Sequence, residues 1–385
     1  MTITTPILST YKHVFADDPI IVKAQITAAD ITNGSKLNQL VIRVTCHLDN
    51  NVEHVHELPQ QCFAGDTLYT DISSALQSEY QLIDREDEPS PSLVQSVENS
   101  QSSLTTDYHP FYFKIEAFIR YIQDGDERTG AITTVIEYVY ALRGGLKPTL
   151  RMTEALTPSA ATQAFGSNLT TKPRIPAASV HAASNPSTIA TDHCLFEVKN
   201  VGDTILESAY NNSTHIVTTQ ATFVTDSYPS PTISSAQSGS PALIVENNPN
   251  RHQLIFRSSL GVLDSFSALS LQKQSFVLNS EQFPVLSDPS YSPTLNVLTQ
   301  ATNPSQKFEM STGFIPSAWA EWFVREVLTA EYVWLAIPVL TPRSGRRTKT
   351  YFPVHLEPAD DITIEDLTKS QLAEVKFTAI IPSVA

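Results

Sequence analysis

The sequence predicts a mainly β protein: two antiparallel β-sandwich-like domains, with one amphipathic helix near the C-terminus. Three observations predict it. Apolar residues alternate with period two over many short, β-branched segments. The chain carries 25 Pro against 12 Gly and only 17% charged residues, a profile of strands joined by proline-punctuated loops rather than of a helical bundle. The turns between strands are short, so nothing helical is at hand to cover a parallel sheet. At 385 residues the chain is longer than the ~250–300 at which single cores stop growing. The division expected is an N-terminal β-sandwich over 1–150, an Ala/Ser/Thr/Pro-rich linker over 151–191, and a C-terminal β-rich domain over 192–385 with its helix over 316–330.

In the first domain, "PIIVKAQI" (19–26), "QLVIRVTCHL" (39–48) and "VEHVHEL" (52–58) alternate as strands. "DTLYTDISSALQS" (66–78) reads as a strand ending in a short helix whose turn begins at Asp71 or Ser73, both good N-caps. "DREDEPSPSLVQSVENSQSS" (84–103) is acidic and proline-bearing, hence a loop. Strands resume with "PFYFKIEAFIRYI" (110–122) and "AITTVIEYVYALRGG" (131–145). Phe111, Phe113, Tyr138 and Tyr140 alternate along these two, as core residues or cross-strand pairs. The linker shows little periodicity and reads as a surface connection.

In the second domain, "CLFEVKN", "THIVTTQATFVT", "ALIVEN" and "HQLIFRSS" are strands, followed by an alternating region to Phe283. "PSAWAEWFVREVLTAEYVW" is the convincing helix. Pro316 suits its first turn, and Trp319, Trp322, Phe323, Val327 and Leu328 follow helical spacing, so these tryptophans are expected in the core. "YFPVHLEP" and "LAEVKFTAIIP" are the closing strands.

Charge and cysteines narrow the function. Net charge is −15 and the pI about 5.0, so the chain repels phosphate backbones and no nucleic acid is expected as partner. Three cysteines, Cys46, Cys62 and Cys194, are too few for a disulfide framework and read as free thiols or at most one bridge. The N-terminus lacks the basic and apolar regions of a secretory signal, and no stretch reaches the ~18–20 apolar residues of a membrane span.

The densest chemistry lies in "CHLDNNVEHVHEL" (46–58). A two-residue Asn50-Asn51 turn would set His47 opposite His54 and Thr45 opposite His56. His47, His54 and His56 then share one face, with Cys46 and Glu53 on the other. Three imidazoles on one face could hold zinc with an open position, as in a metal-dependent hydrolase. The preferred reading is a solvated polar face, because no carboxylate is placed to orient the imidazoles. Elsewhere no G-x-S-x-G, H-E-x-x-H or Walker loop occurs, so no enzyme and no cofactor are expected. The basic cluster "RSGRRTK" reads as a hairpin tip whose Arg343, Arg346, Arg347 and Lys349 would dock on an acidic neighbour or an anionic surface.

"HQLIFRSSLGVLDSFSA" (252–268) sets an apolar strand, a polar turn with Gly261, and Asp264 followed by an aromatic. It resembles a stretch of tail-associated structural proteins (tail-tip, baseplate or fibre type) of phages and prophages of Bacteroides-type bacteria. Here Ser258-Ser259 stand where Asn and an aromatic are common, and Leu263 replaces a tyrosine. "STGFIPSAWAEWFVREVLTAEYVWL" is similar to the helix of those proteins, and "FADDPIIVKAQ", "DTLYTDISSAL" and "EYVYALRGGL" are similar to elements of their N-terminal sandwich. The resemblance implies a structural virion protein without catalytic residues. Such a protein would assemble in the bacterial host cytoplasm and pack as a homo-oligomer and against other virion or tail proteins. A carbohydrate- or surface-binding β-sandwich module is the alternative of a different class.

Overall fold

A computed structural model describes residues 1–5, 13–31, 36–48, 52–86, 104–105, 110–145, 169, 171–172, 196–211, 214–224, 242–277, 280–286, 295–301, 305–340, 347–359 and 372–382. The protein is mainly β, with several sheets and, among the described residues, two α-helices. It folds as two compact units. One comprises Met1–Thr170, Glu207–Gln220 and Ser258–Val262; the other comprises Thr171–Leu206, Ala221–Arg257 and Leu263–Ala385. Segments 207–220 and 258–262 thus belong with the N-terminal part of the chain, although a cut at the 151–191 linker assigns them to the other half.

The first unit begins with β1 (Thr2–Thr4), β2 (His13–Phe15), β3 (Ile21–Gln25), β4 (Lys36–Leu48), β5 (Val52–Gln61) and β6 (Thr67–Asp71). The helix α1 (Ser73–Glu86) comes next, then β7 (Leu104–Thr105), β8 (Phe111–Gln123), β9 (Asp126–Thr129) and β10 (Thr133–Leu142). A six-stranded sheet runs β2-β10-β8-β4-β5, with β9 paired to β8, and a small sheet runs β1-β3-β6. All these pairs are antiparallel except β2 with β10, which is parallel. Parallel partners need a long connection, and nearly the whole unit separates these two. The small sheet and α1 cover the inner face of the larger sheet. Val22 and Ala24 of β3 and Leu76 and Tyr80 of α1 pack against Leu40, Ile42 and Val44 of β4 and Phe113 and Ile115 of β8.

Strand alternation in the sequence is therefore real burial alternation. Helix α1 runs past the expected short turn because Ala75, Leu76, Tyr80 and Ile83 keep one apolar stripe facing the sheet. The Asp71 carboxylate accepts from the Ser73 amide at 3.0 Å and from the Ile20 amide at 3.0 Å, fixing the helix start. The tyrosine hydroxyl of Tyr80 donates to the Ala141 carbonyl at 2.8 Å. A separate small core gathers Phe15, Leu142, Leu169, Tyr210, Val217, Leu260 and Val262. Cys46 and Cys62 are free and buried; Cys194 lies outside the described residues.

The rest of the chain carries β11 (Phe196–Asn200), β12 (Thr204–Asn211), β13 (Ile216–Phe223), β14 (Ala242–Glu246), β15 (Arg251–Arg257) and β16 (Leu263–Val277). They are followed by β17 (Ser280–Leu286), β18 (Leu295–Ala301), β19 (Ser305–Pro316), α2 (Ser317–Trp322), β20 (Val333–Leu340), β21 (Arg347–Pro353), β22 (His355–Pro358) and β23 (Leu372–Ile381). A seven-stranded antiparallel sheet runs β21-β20-β15-β16-β19-β23-β22. β11 and β14 pair in parallel.

The expected helix over 316–330 is shorter and changes type. Pro316 precedes it as the cap, and after Trp322 the chain widens into a π-helical turn, Phe323–Val327. The wider turn drives the adjacent Trp322 and Phe323, with Trp319 and Val327, into one core against Phe266 and Phe377. Both tryptophans are core residues, as their spacing predicts.

Most of the 151–191 segment lies outside the described residues. Where it is described, it is packed: Leu169 is buried, Thr171 Oγ1 accepts from the Trp322 indole N–H at 3.1 Å, and Lys172 is tied into a charge network. That network alternates in sign. Lys199 Nζ lies 2.6 Å from Glu197, and Lys172 Nζ lies 3.3 Å from Glu197 and 2.8 Å from Asp264. Lys199 is fully buried, and its ammonium also donates to the Ser265 carbonyl at 2.8 Å. Burial opposes charge on Glu197, yet the Lys172 and Lys199 ammoniums outweigh it and hold the carboxyl below its usual range.

Candidate functional site

The histidine-rich hairpin occupies β4 and β5. Its register pairs Leu48 with Val52, His47 with Glu53, Cys46 with His54 and Val44 with His56. Three residues, 49–51, therefore separate the paired ends, not two; they lie outside the described residues. One residue of slip moves every β5 side chain to the opposite face. The face sharing expected of His47, His54 and His56 is corrected on that ground. His54 and His56 turn inward beside Cys46, while His47 lies on the outer face with Glu53.

A carboxylate does orient the two inward imidazoles. Glu79 sits on the apolar stripe of α1 and is completely buried. Its Oε2 lies 2.6 Å from His54 Nδ1, and its Oε1 contacts His56 Nε2. Ring and carboxyl atoms of His56 and Glu79, with the Cys46 sulfur, lie within 4.8 Å of one another. Sequence reasoning stopped at the helix start and missed Glu79. The available signal was a lone acidic residue on the stripe formed by Ala75, Leu76, Tyr80 and Ile83.

The outer face of the same sheet carries a row of rings. The register sets His47 beside Tyr112, Tyr112 beside Tyr140 and Tyr140 beside His13. Cross-strand neighbours on one face sit about 4.5–5.5 Å apart, so the rings form a continuous band across four strands. His47 stacks on Tyr112 at 4.5 Å, and His215 stacks on Tyr140 at 3.7 Å with an interplanar angle of 11°. Tyr138 adds a ring 5.7 Å from Tyr112 and is 65% exposed. Tyr138 and Tyr140 thus face outward, whereas Phe111 and Phe113 are core.

A shallow groove of about 360 Å³ adjoins the band, lined by Arg43, His47, Glu53, Val55, Lys114 and Glu116 among others. His47 belongs to both. Arg43 Nη2 lies 2.9 Å from Glu57 and its Nη1 3.7 Å from Glu116. Hydrogen bonds from Arg120 and then Arg43 hold the Glu57 carboxyl below its ordinary range. The groove floor is polar, paired and pre-organised, and Val55 supplies an exposed apolar wall.

No protein-family model matches the chain, and no curated protein is similar to it. The band and the groove are therefore read on their own chemistry: ring faces for stacking, fixed charges at one side.

The basic cluster has a different standing. Arg343 and Arg346 lie outside the described residues, and the side chain of Arg347 is likewise undescribed. Lys349 points inward, with its ammonium 3.1 Å from Gln253 Oε1 and 3.4 Å from Asp203. These contacts hold its ammonium within its own unit, with 18% of the side chain exposed. Among the described residues, no helix is long and apolar enough to cross a membrane.

Two histidines give the protein a predicted acid response. Burial lowers the pKa of His215 from the usual 6.5, and burial, opposed by Asp203, lowers that of His252. Below pH 6.5 the unfolded chain therefore takes up protons that the folded chain refuses. Stability contributed by these groups is complete above the ordinary imidazole pKa and falls as pH drops toward their lower folded values. Melting temperatures measured from about pH 8 to 5 should hold level and then decline, and His252→Gln should flatten the decline.

Proposed function

We propose that the protein is a non-catalytic building block of a larger assembly, which meets its neighbours through the ring band and groove on the outer face of the six-stranded sheet. The band carries this reading: His47, Tyr112, Tyr140 and His13 span four strands, and the exposed ring of Tyr138 stands beside them. Aromatic residues with flanking arginine are the side chains enriched in buried contact surfaces. The resemblance of 252–268 to tail-associated phage proteins supports placing that assembly in a virion, built in a bacterial host cytoplasm from copies of this chain and other tail proteins. The strongly acidic balance supports protein contacts over nucleic acid.

The test is light scattering after size exclusion, with native mass spectrometry, on the wild-type chain and on Tyr138→Ser with Val55→Thr. Both positions are exposed, so the fold should be untouched. The wild type should associate, and the double variant should weaken association about tenfold or more, the ~1.4 kcal/mol scale of one interface aromatic. A wild type that stays monomeric at high concentration overturns the reading. Stacked rings beside fixed carboxylates also suit sugar faces. Glycan binding that Tyr138→Ser abolishes, in a chain that does not associate, would move the same surface to a carbohydrate-binding module.

A further inference from the structure

We infer that Cys46, His56 and Glu79 form a binding site for one divalent transition-metal ion, zinc by its donor chemistry, beside His54 on the same carboxylate, and that the ion staples α1 to the β4–β5 hairpin. The observations stand apart from the outer-face reading. Donor atoms of Cys46, His56 and Glu79 converge within 4.8 Å, and His54 Nδ1 approaches the same carboxylate at 2.6 Å. The three elements that supply them are held by a continuous core, with Leu76 and Tyr80 on one side and Val44 and Phe113 on the other. Zinc takes sulfur, nitrogen and oxygen donors at about 2.0–2.3 Å, and Cys46, His56 and Glu79 supply one of each.

Charge argues for an ion in the same place. Glu79 is a carboxylate with no exposed surface, and Cys46 beside it is equally buried. A thiolate and a carboxylate together balance a divalent cation, leaving no net charge in the core. On binding, the cation displaces the Cys46 thiol proton, which leaves to solvent. His54 and His56 retain partial exposure, their side chains 39% and 28% accessible, and give the ion its way in. Thiolate beside imidazole selects zinc or cobalt over calcium or magnesium. The three donors come from β4, β5 and α1, so the bound ion ties these elements together and stabilises the fold.

The probe is cobalt(II), added to full-length protein prepared without a metal-affinity tag or chelator, with zinc content measured on the same preparation. One equivalent should bind, giving a sulfur-to-cobalt charge-transfer band and tetrahedral visible bands. Cys46→Ser should remove the charge-transfer band, and Glu79→Gln should weaken binding at least about 100-fold. His47→Gln, on the opposite face, should leave spectrum and affinity unchanged. Circular dichroism identifies any variant that fails to fold; His56→Asn then replaces it. Absence of stoichiometric cobalt in folded wild type overturns the site. So does a spectrum indifferent to Cys46→Ser and His56→Asn, or one abolished by His47→Gln.

Discussion

Glu197→Gln should destabilise the protein by roughly 3–5 kcal/mol, the cost of removing one partner from a buried charge network. The central carboxylate contacts both Lys199 and Lys172, at 2.6 and 3.3 Å. With Gln there, two ammoniums face each other where little water can reach them. Burial already depresses the pKa of Lys199, so the response should include loss of its proton rather than relocation of its charge. Chemical denaturation followed by far-ultraviolet circular dichroism measures the loss. The paired replacement Glu197→Leu with Lys199→Met should cost much less than either single change, because it removes charge and countercharge together. Equal losses for single and double variants would show that the network contributes nothing through charge.

Gly144→Ala should cost roughly 2–5 kcal/mol, from two independent sources. The residue has φ +80°, and an L side chain there costs about 1–2 kcal/mol. A Cβ would also stand 2.2 Å from the Ser259 carbonyl oxygen and 2.7 Å from the Leu260 carbonyl carbon, and such overpacking adds about 1–3 kcal/mol. Gly125→Ala separates the two, since φ is +92° but no atom lies within 4 Å of its Cβ. Thermal melts should show the Gly125 variant below wild type by the ~1–2 kcal/mol of its positive φ alone, and the Gly144 variant further below by the overpacking. The close approach is what the Gly-Gly pair before residue 146 serves: the Gly145 amide donates to the same Ser259 carbonyl at 2.7 Å.

Much of the fold was legible because a strand's period is a local property. Leu40, Ile42, Val44 and Cys46 alternate inward along β4, and the apolar spacing around Trp319 and Phe323 marks the second helix. What failed depended on a single residue of loop length. Period two fixes which side chains travel together on β5 but not which face they take. Pairing Cys46 with His54 in place of His47 with His54 reversed the assignment of both cysteine and imidazoles. Glu79 was visible only as an anomaly of pattern, since its partners lie some 25 residues away on another element. Lys172 gave no signal and Lys349 read only as part of a basic hairpin tip, because the carboxylates and amide they meet are remote in sequence. The change from α to π geometry after Trp322 was equally silent: a helical spacing holds for both over so few residues.

The small core around Phe15 and Leu142 also limits how the protein can be made. Tyr210, Val217, Leu260 and Val262 complete it, yet they are translated well after the strands they cover. A nascent chain must therefore expose that patch until about residue 262 has emerged from the ribosome. Any fragment ending near residue 150 leaves it bare and exposes it to chaperones, proteases or self-association.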